Sequence, residues 1–278
     1  EQLDFLRGTL LLIMTTDHLL LSALMSEEVA FTYTLGFPGF VSAADGFLIV
    51  SGMVTGLVFG RMALRKQDGT MWRRSFRRVA EIHLTNFVGL AAICVAAMIY
   101  HERFATMAAN PYMGSVAKDP GQHLALGGGL LAMPTFFDIL VVYCVLLAVT
   151  PAVLIRLRAG KTPWILATSV ALWLLAQLAP MEHFDQLLIG SLPGFFPEGI
   201  HWAFSWFDLL GWQLPFVVGL VIGYHHLRGR LPRLITELSP GLFLVSVSIC
   251  AACFSLRHGL LPQGLCESLT LWADGRTL

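Results

Sequence analysis

Seven runs of mostly apolar residues divide this chain of 278 residues, each close to the roughly 20 residues a helix needs to cross a bilayer core. They lie at about 4–25, 39–61, 76–100, 135–156, 163–180, 207–227 and 240–256, with Pro38, Pro134, Pro163, Pro180 and Pro240 at their borders. Runs of this length leave few folds open. In hydrocarbon every backbone N–H and C=O must find its partner within the structure, which a helix achieves alone and an open strand does not. Composition points the same way, since 13% of the residues are charged where a soluble domain carries about a quarter. The expected fold is all-α: a polytopic transmembrane helical bundle of about seven spans, forming one domain over 1–278. The formal net charge is zero, which removes the basic surplus of a nucleic-acid binder, so no nucleic-acid partner is expected. Of five cysteines, Cys94, Cys144, Cys250 and Cys253 lie inside apolar runs, which argues against a disulfide framework. The CxxC at Cys250 and Cys253 has no further ligands beside it, and no metal is expected.

The basic residues orient the spans. Arg7, the group Arg61 to Arg78, Arg156, Arg158, Lys161, Arg228, Arg230 and Arg233 place 14 of the 18 Lys and Arg on one side. Arg103, Lys118, Arg257 and Arg276 remain on the other, among Glu27, Glu28, Glu102, Asp119, Glu182, Asp185 and Glu198. Cytoplasmic loops carry the basic excess, so a multi-pass membrane protein with a cytoplasmic N-terminus is expected. Arg7 before an apolar run resembles a signal peptide, but Asp17-His18 interrupt that run and no small-x-small cleavage site follows. The sequence starts without Met and reads as a piece of a longer chain. Two outer loops, 101–134 and 181–206, are apolar for linkers; Phe195, Phe196, Trp202, Phe204 and Trp206 suit an interfacial belt in membrane lipid. Stacking on a sugar ring is the alternative.

Ionisable groups inside a span cost about 2.5–3.5 kcal/mol on insertion scales, so they face a bundle interior or a cavity. Span one carries Asp4, Arg7, Asp17 and His18. At 100° per residue, Arg7 and His18 return to nearly one face, about 17 Å apart, with Asp4, Leu11 and Met14 on the same stripe. Asp17 points about 100° away from His18. Asp45, Asp138 and Asp208 lie at comparable depth in other spans, although Asp138 and Asp208 equally suit the positive end of a helix dipole. Gly52, Gly56 and Gly60 form a small-xxx-small ladder for close helix packing. Span three opens with Arg73, Arg74, Arg77 and Arg78, followed by Glu81, His83 and Asn86. The arginines read as a positive-inside anchor or as a cationic mouth for an anionic ligand.

LDFLRG at 3–8 with Asp17-His18, AADGFLIVSG at 43–52, and Arg77-Arg78 resemble the OpgC family. FFDILVVYCVLLAVTP at 136–151 and FDLLGWQLPFVVGLVIG at 207–223 are similar to that family's later signatures. The resemblance implies an acyltransferase-3 superfamily enzyme that takes an acyl group from cytoplasmic acyl-CoA and places it on a hydroxyl beyond the membrane. For OpgC proteins this implies succinylation of periplasmic glucans. It assigns His18 as the catalytic histidine and implies further C-terminal helices. Its Arg-x-x-Arg donor motif is not reproduced at Arg78-Val-Ala-Glu81, where Glu stands for the second Arg; Arg74-Ser-Phe-Arg77 has the literal spacing one turn earlier.

The expected function is thus a membrane O-acyltransferase moving a succinyl or acetyl group from acyl-CoA to a glycan acceptor. His18 is the base that takes the hydroxyl proton, and Asp45 or Asp17 steadies the imidazolium. Arg7, Arg74, Arg77 and Arg78 are the candidates for the CoA phosphates. A polytopic transporter that uses the intramembrane Asp/His cluster as a proton or substrate site is the alternative.

Overall fold

A computed structural model describes residues 2–24, 43–100, 119–131, 138–178 and 209–229, with single residues at 116, 244 and 248. Every regular element among them is an α-helix: α1 (Gln2–Leu24), α2 (Ala43–Leu64), α3 (Asp68–Ile99), α4 (Pro120–Gly128), α5 (Asp138–Arg158), α6 (Thr162–Leu178) and α7 (Leu209–Leu227). Three of these are long and apolar enough to cross a membrane: α2, α3 and the Ile139–Arg158 part of α5. Thr162–Ala176 of α6 is apolar but shorter. The expected span at 240–256 (apart from the single residues 244 and 248), Asp208 and the loop aromatics Phe195 to Trp206 lie outside the described residues.

The helices fall into two compact units, residues 1–61 with 215–278, and residues 62–214. In the first, α2 and α7 meet backbone to backbone. A methyl group added at Gly52 would overlap the Phe216 carbonyl, and one at Gly219 the Ile49 carbonyl. Gly56 and Gly223 sit as closely against Leu220 and Met53. Contacts advance together along both chains, from Ile49 with Gly219 to Gly60 with Leu227, so the two helices run parallel. The ladder seen in the sequence supplies only half of this seam; Gly219 and Gly223 supply the other half.

In the second unit α5 is central, with Val141, Val142, Cys144, Leu147, Leu154 and Leu157 all buried. Against it lies α3, which buries Met71 and Ser75 and, further on, Asn86, Leu90, Cys94 and Ala97 at intervals that keep to one helical face. Proline inside a helix leaves the carbonyl four residues earlier without its donor. Pro151 does so to Leu147 in α5, and the Ser75 hydroxyl of α3 donates to that carbonyl at 2.6 Å. Between α6 and the first turns of α7, Ser169 Oγ donates to Gln213 Oε1 (2.6 Å) while Gln213 Nε2 donates to the Ser169 carbonyl (2.8 Å).

Tight turns join the helices of this unit. After α2, the Gln67 N–H reaches the Met62 carbonyl and the Lys66 N–H the Ala63 carbonyl, with Lys66 at φ 55°. This is a Schellman closure, repeated after α5 with Gly160 at φ 79°. Arg158 locks the first turn: its guanidinium bonds both oxygens of Asp68 (2.6 and 2.8 Å) and the Ala63 carbonyl (2.7 Å). Hydrogen-bonded to Arg158, the Asp68 carboxyl at the tip of α3 is held below the usual carboxylate range.

Candidate active site

The apolar run read from the sequence begins at about 76, with Arg73, Arg74, Arg77 and Arg78 at its opening. The structure begins α3 at Asp68, with three residues between it and the end of α2, and carries all four arginines on the helix. Arginine is a strong helix former, and Met71 and Ser75 continue the buried face through this stretch. Arg73, Arg74, Arg77 and Arg78 all lie on the exposed side. Arg77 Nε and Arg78 Nη1 both pair with Glu81, at 3.0 and 3.3 Å. The Glu that departs from the family motif therefore shares itself between the two proposed donor arginines. Arg73, absent from the sequence-based site, and Arg74 point outward from the preceding turn.

The packing register gives these arginines a depth. Arg158 with Asp68, Leu147 with Ser75, and Cys144 with Val79 show α3 and α5 running antiparallel from a shared end. Helix α3, at 32 residues, is about 48 Å long, whereas the 21 residues of α5 cover about 31 Å. Arg73 to Arg78 thus lie beside the apolar Leu146–Leu154 stretch of α5. Ionised side chains at such a level in a membrane protein face a cavity or a neighbouring helix more often than lipid. Deeper along α3, His83 Nε2 meets the Gly128 carbonyl of α4 at 3.1 Å. A carbonyl only accepts, so Nε2 carries the proton and Nδ1 the lone pair in the neutral ring; Nδ1 is buried without a hydrogen-bond partner.

In the other unit, α1 packs on the start of α2. The Arg7 guanidinium lies over the Phe47 ring, 5.9 Å from its centre, and is 3.9 Å from Asp4. Leu10 fills the space that Gly46 leaves by having no Cβ. Arg7 is held in packing, with 22% of its side chain exposed and its Nε without a hydrogen bond. These contacts correct two parts of the sequence reading. Leu11 is exposed, and the buried stripe runs through Leu10 and Met14 instead. Arg7 and Asp45, expected at opposite ends of their spans, stand at one level, because the Phe47 ring and the Gly46 notch capture the start of α1. Asp45 is half-buried in the first turn of α2. His18 lies eight residues beyond Leu10, about 12 Å along α1, so the register seats Leu10 rather than His18 at the turn of Asp45. The side chains of Asp17, His18 and Asp138 lie outside the described residues.

A sequence profile of the OpgC protein family matches residues 1–273. The chain belongs to the OpgC protein family. No curated protein and no solved structure matches it. This OpgC family member contains no group of three His, Cys, Asp or Glu placed to hold a metal among its described residues. The structure brings Arg74, Arg77 and Arg78 together on α3 and sets Arg7 of α1 over Phe47, two residues after Asp45 in α2. The signal for Glu81 was in the sequence, as an i,i+3 and i,i+4 carboxylate to two arginines. The Asp68–Arg158 pair had none, since 90 residues separate its members.

Proposed function

We propose that this OpgC family member is an O-acyltransferase of the bacterial inner membrane, within the acyltransferase-3 superfamily. It moves a succinyl or acetyl group from cytoplasmic acyl-CoA to a hydroxyl of a periplasmic glycan. The observation that carries this reading is the family match over nearly the whole chain, and the four exposed arginines on α3 support it. The described helices are six of about seven expected membrane passes together with the short α4, and the basic ends of α2, α5 and α7 face the cytoplasm. The Arg7–Phe47 contact sets the start of α1 level with Asp45, at the end of α2 away from its basic residues, so α1 is not oriented by this alternation.

The chemistry needs three things of this chain. Arg73 and Arg74, with Arg77 and Arg78 partly neutralised by Glu81, hold the CoA phosphates at the cytoplasmic end of α3. Guanidinium groups suit this because they meet phosphate oxygens with paired N–H donors. His18 takes the proton of the acceptor hydroxyl as its oxygen attacks the thioester carbon; the new C–O bond forms, the C–S bond breaks, and CoA leaves as the thiolate. Asp17 is the carboxylate left to stabilise the imidazolium that results, because Asp45 stands at the level of Leu10, about 12 Å short of His18 along α1.

Mass spectrometry of periplasmic glycans from cells carrying the wild-type or variant gene tests the proposal. A positioned base contributes about 10²–10⁴ in rate, so His18→Ala should remove detectable acylation while acyl-CoA still binds the purified protein. Near-normal acylation by His18→Ala would end the role of His18. Failure of the wild-type protein to bind acyl-CoA would instead favour transport through the same polar residues.

A further inference from the structure

The Arg158 clamp does more than close a turn. It holds the α2–α3 turn against the α5–α6 turn, and both turns carry cations. Arg65 and Lys66 stand in the first, Arg156 and Lys161 flank the second, and all four side chains are exposed. The only ion pair described among these residues is the one between Arg158 and Asp68. Five cations against one carboxylate leave a local surplus of four positive charges, in a patch that two Schellman turns and a bidentate ion pair make rigid.

Lys66 is the informative member. It occupies the position after α2 that requires left-handed backbone, at φ 55°, where L residues with a Cβ are disfavoured. The equivalent position after α5 is Gly160, the residue that fits without strain. After α4 the same position holds Leu130 at φ 58°, so the backbone accepts a side chain there, and Lys66 matters to the patch for its charge. Trp164, three residues beyond Lys161 in the first turn of α6, is 75% exposed. An indole at a helix end beside basic residues is the usual arrangement at a lipid headgroup layer.

The geometry points to a binding site for anionic phospholipid headgroups at the joined α2–α3 and α5–α6 turns, with Arg65, Lys66, Arg156 and Lys161 around the phosphate and Trp164 along the glycerol and upper acyl chain. The site rests on membrane insertion and not on acyl transfer, and it is separate from the α3 arginines assigned to the donor. Charge complementarity selects an anionic lipid over a zwitterionic one. Free phosphate offers the same chemistry but no chain for the indole.

The experiment is native mass spectrometry and thermal unfolding of the purified full chain in detergent, with added phosphatidylglycerol, phosphatidylcholine or inorganic phosphate. Wild-type protein should retain phosphatidylglycerol and unfold at higher temperature in its presence, with neither effect from phosphatidylcholine or phosphate. Each basic residue near an anionic surface is worth about a fivefold change in binding. Lys66→Gly combined with Lys161→Gln should therefore bind phosphatidylglycerol about 25-fold more weakly. Lys66→Gly also removes the backbone strain, so this variant alone should unfold no earlier than wild type without lipid, which separates lost binding from lost folding. Arg65→Gln with Arg156→Gln should weaken lipid binding similarly. Undiminished phosphatidylglycerol retention in both double variants, equal retention of phosphatidylcholine, or displacement of the lipid by inorganic phosphate would each overturn the proposal.

Discussion

Ser75 is a single hydroxyl on which the placement of two helices depends. Without it, the Leu147 carbonyl that Pro151 deprives of a helical donor is left unpaired among buried residues. An unpaired buried acceptor costs about 1–3 kcal/mol, so Ser75→Ala should lower the stability of the purified protein by about that amount in denaturant unfolding. The explanation makes a sharper demand through a double-mutant cycle. In a Pro151→Ala background the residue at 151 regains its N–H and can serve Leu147 itself. Ser75→Ala should then cost much less, leaving a coupling of about 1 kcal/mol or more. Equal losses in both backgrounds would show that Ser75 acts only by filling space. The pairing could not be read from the sequence, where Ser75 stands between Arg74 and Phe76 in what reads as a charged anchor.

At the level of helices, glycine decides which elements can touch. Gly52, Gly56 and Gly60 were legible as a packing ladder from their spacing alone, yet spacing does not name a partner 160 residues away. That partner is α7, whose own Gly219 and Gly223 open the matching surface. Gly52→Ala should drive a methyl group into the Phe216 carbonyl and destabilise the protein by about 1–3 kcal/mol, as overpacking does. Gly8→Ala makes the natural control, because Gly8 lies within α1 with nothing within 4 Å of an added Cβ. Replacing an open helical glycine removes a conformational cost of about 0.5–1 kcal/mol, so thermal unfolding of the two variants should shift in opposite directions. A shared loss would mean that the α2–α7 seam is looser than the backbone contacts imply. The start of α3 shows the opposite limit of sequence reading: the apolar run begins at about 76, while helix propensity and the Met71–Ser75 face carry the helix back to Asp68.

For the molecule as a whole, helix direction links packing to topology. Spans separated by an even number of crossings must run the same way, and the parallel α2–α7 seam meets that condition if the two are the second and sixth spans. The antiparallel α3–α5 contacts meet it for the third and fourth. Fold class was legible because the bilayer imposes length and apolarity on each run, whereas the depth of each polar residue was not, since depth depends on how far one helix slides along another. The Arg7–Phe47 contact is the instance: hydropathy fixes that α1 and α2 exist, but a ring and a missing Cβ fix their register. Labelling of single cysteines in intact cells, in a background without native cysteines, reads the resulting topology. Cysteines at Lys66 and Lys161 should react only after the membrane is opened, because both sit in short turns on the basic side. Cysteines at Gly121, in α4, and at Gly190, both on the side that the sequence assigns to the exterior, should react with an impermeant reagent from outside. Labelling of position 66 or 161 from outside would break the alternation at that turn. It would also move the α3 arginines to the periplasmic side, where no cytoplasmic acyl-CoA could reach them, and the proposed direction of acyl transfer would fall with the topology.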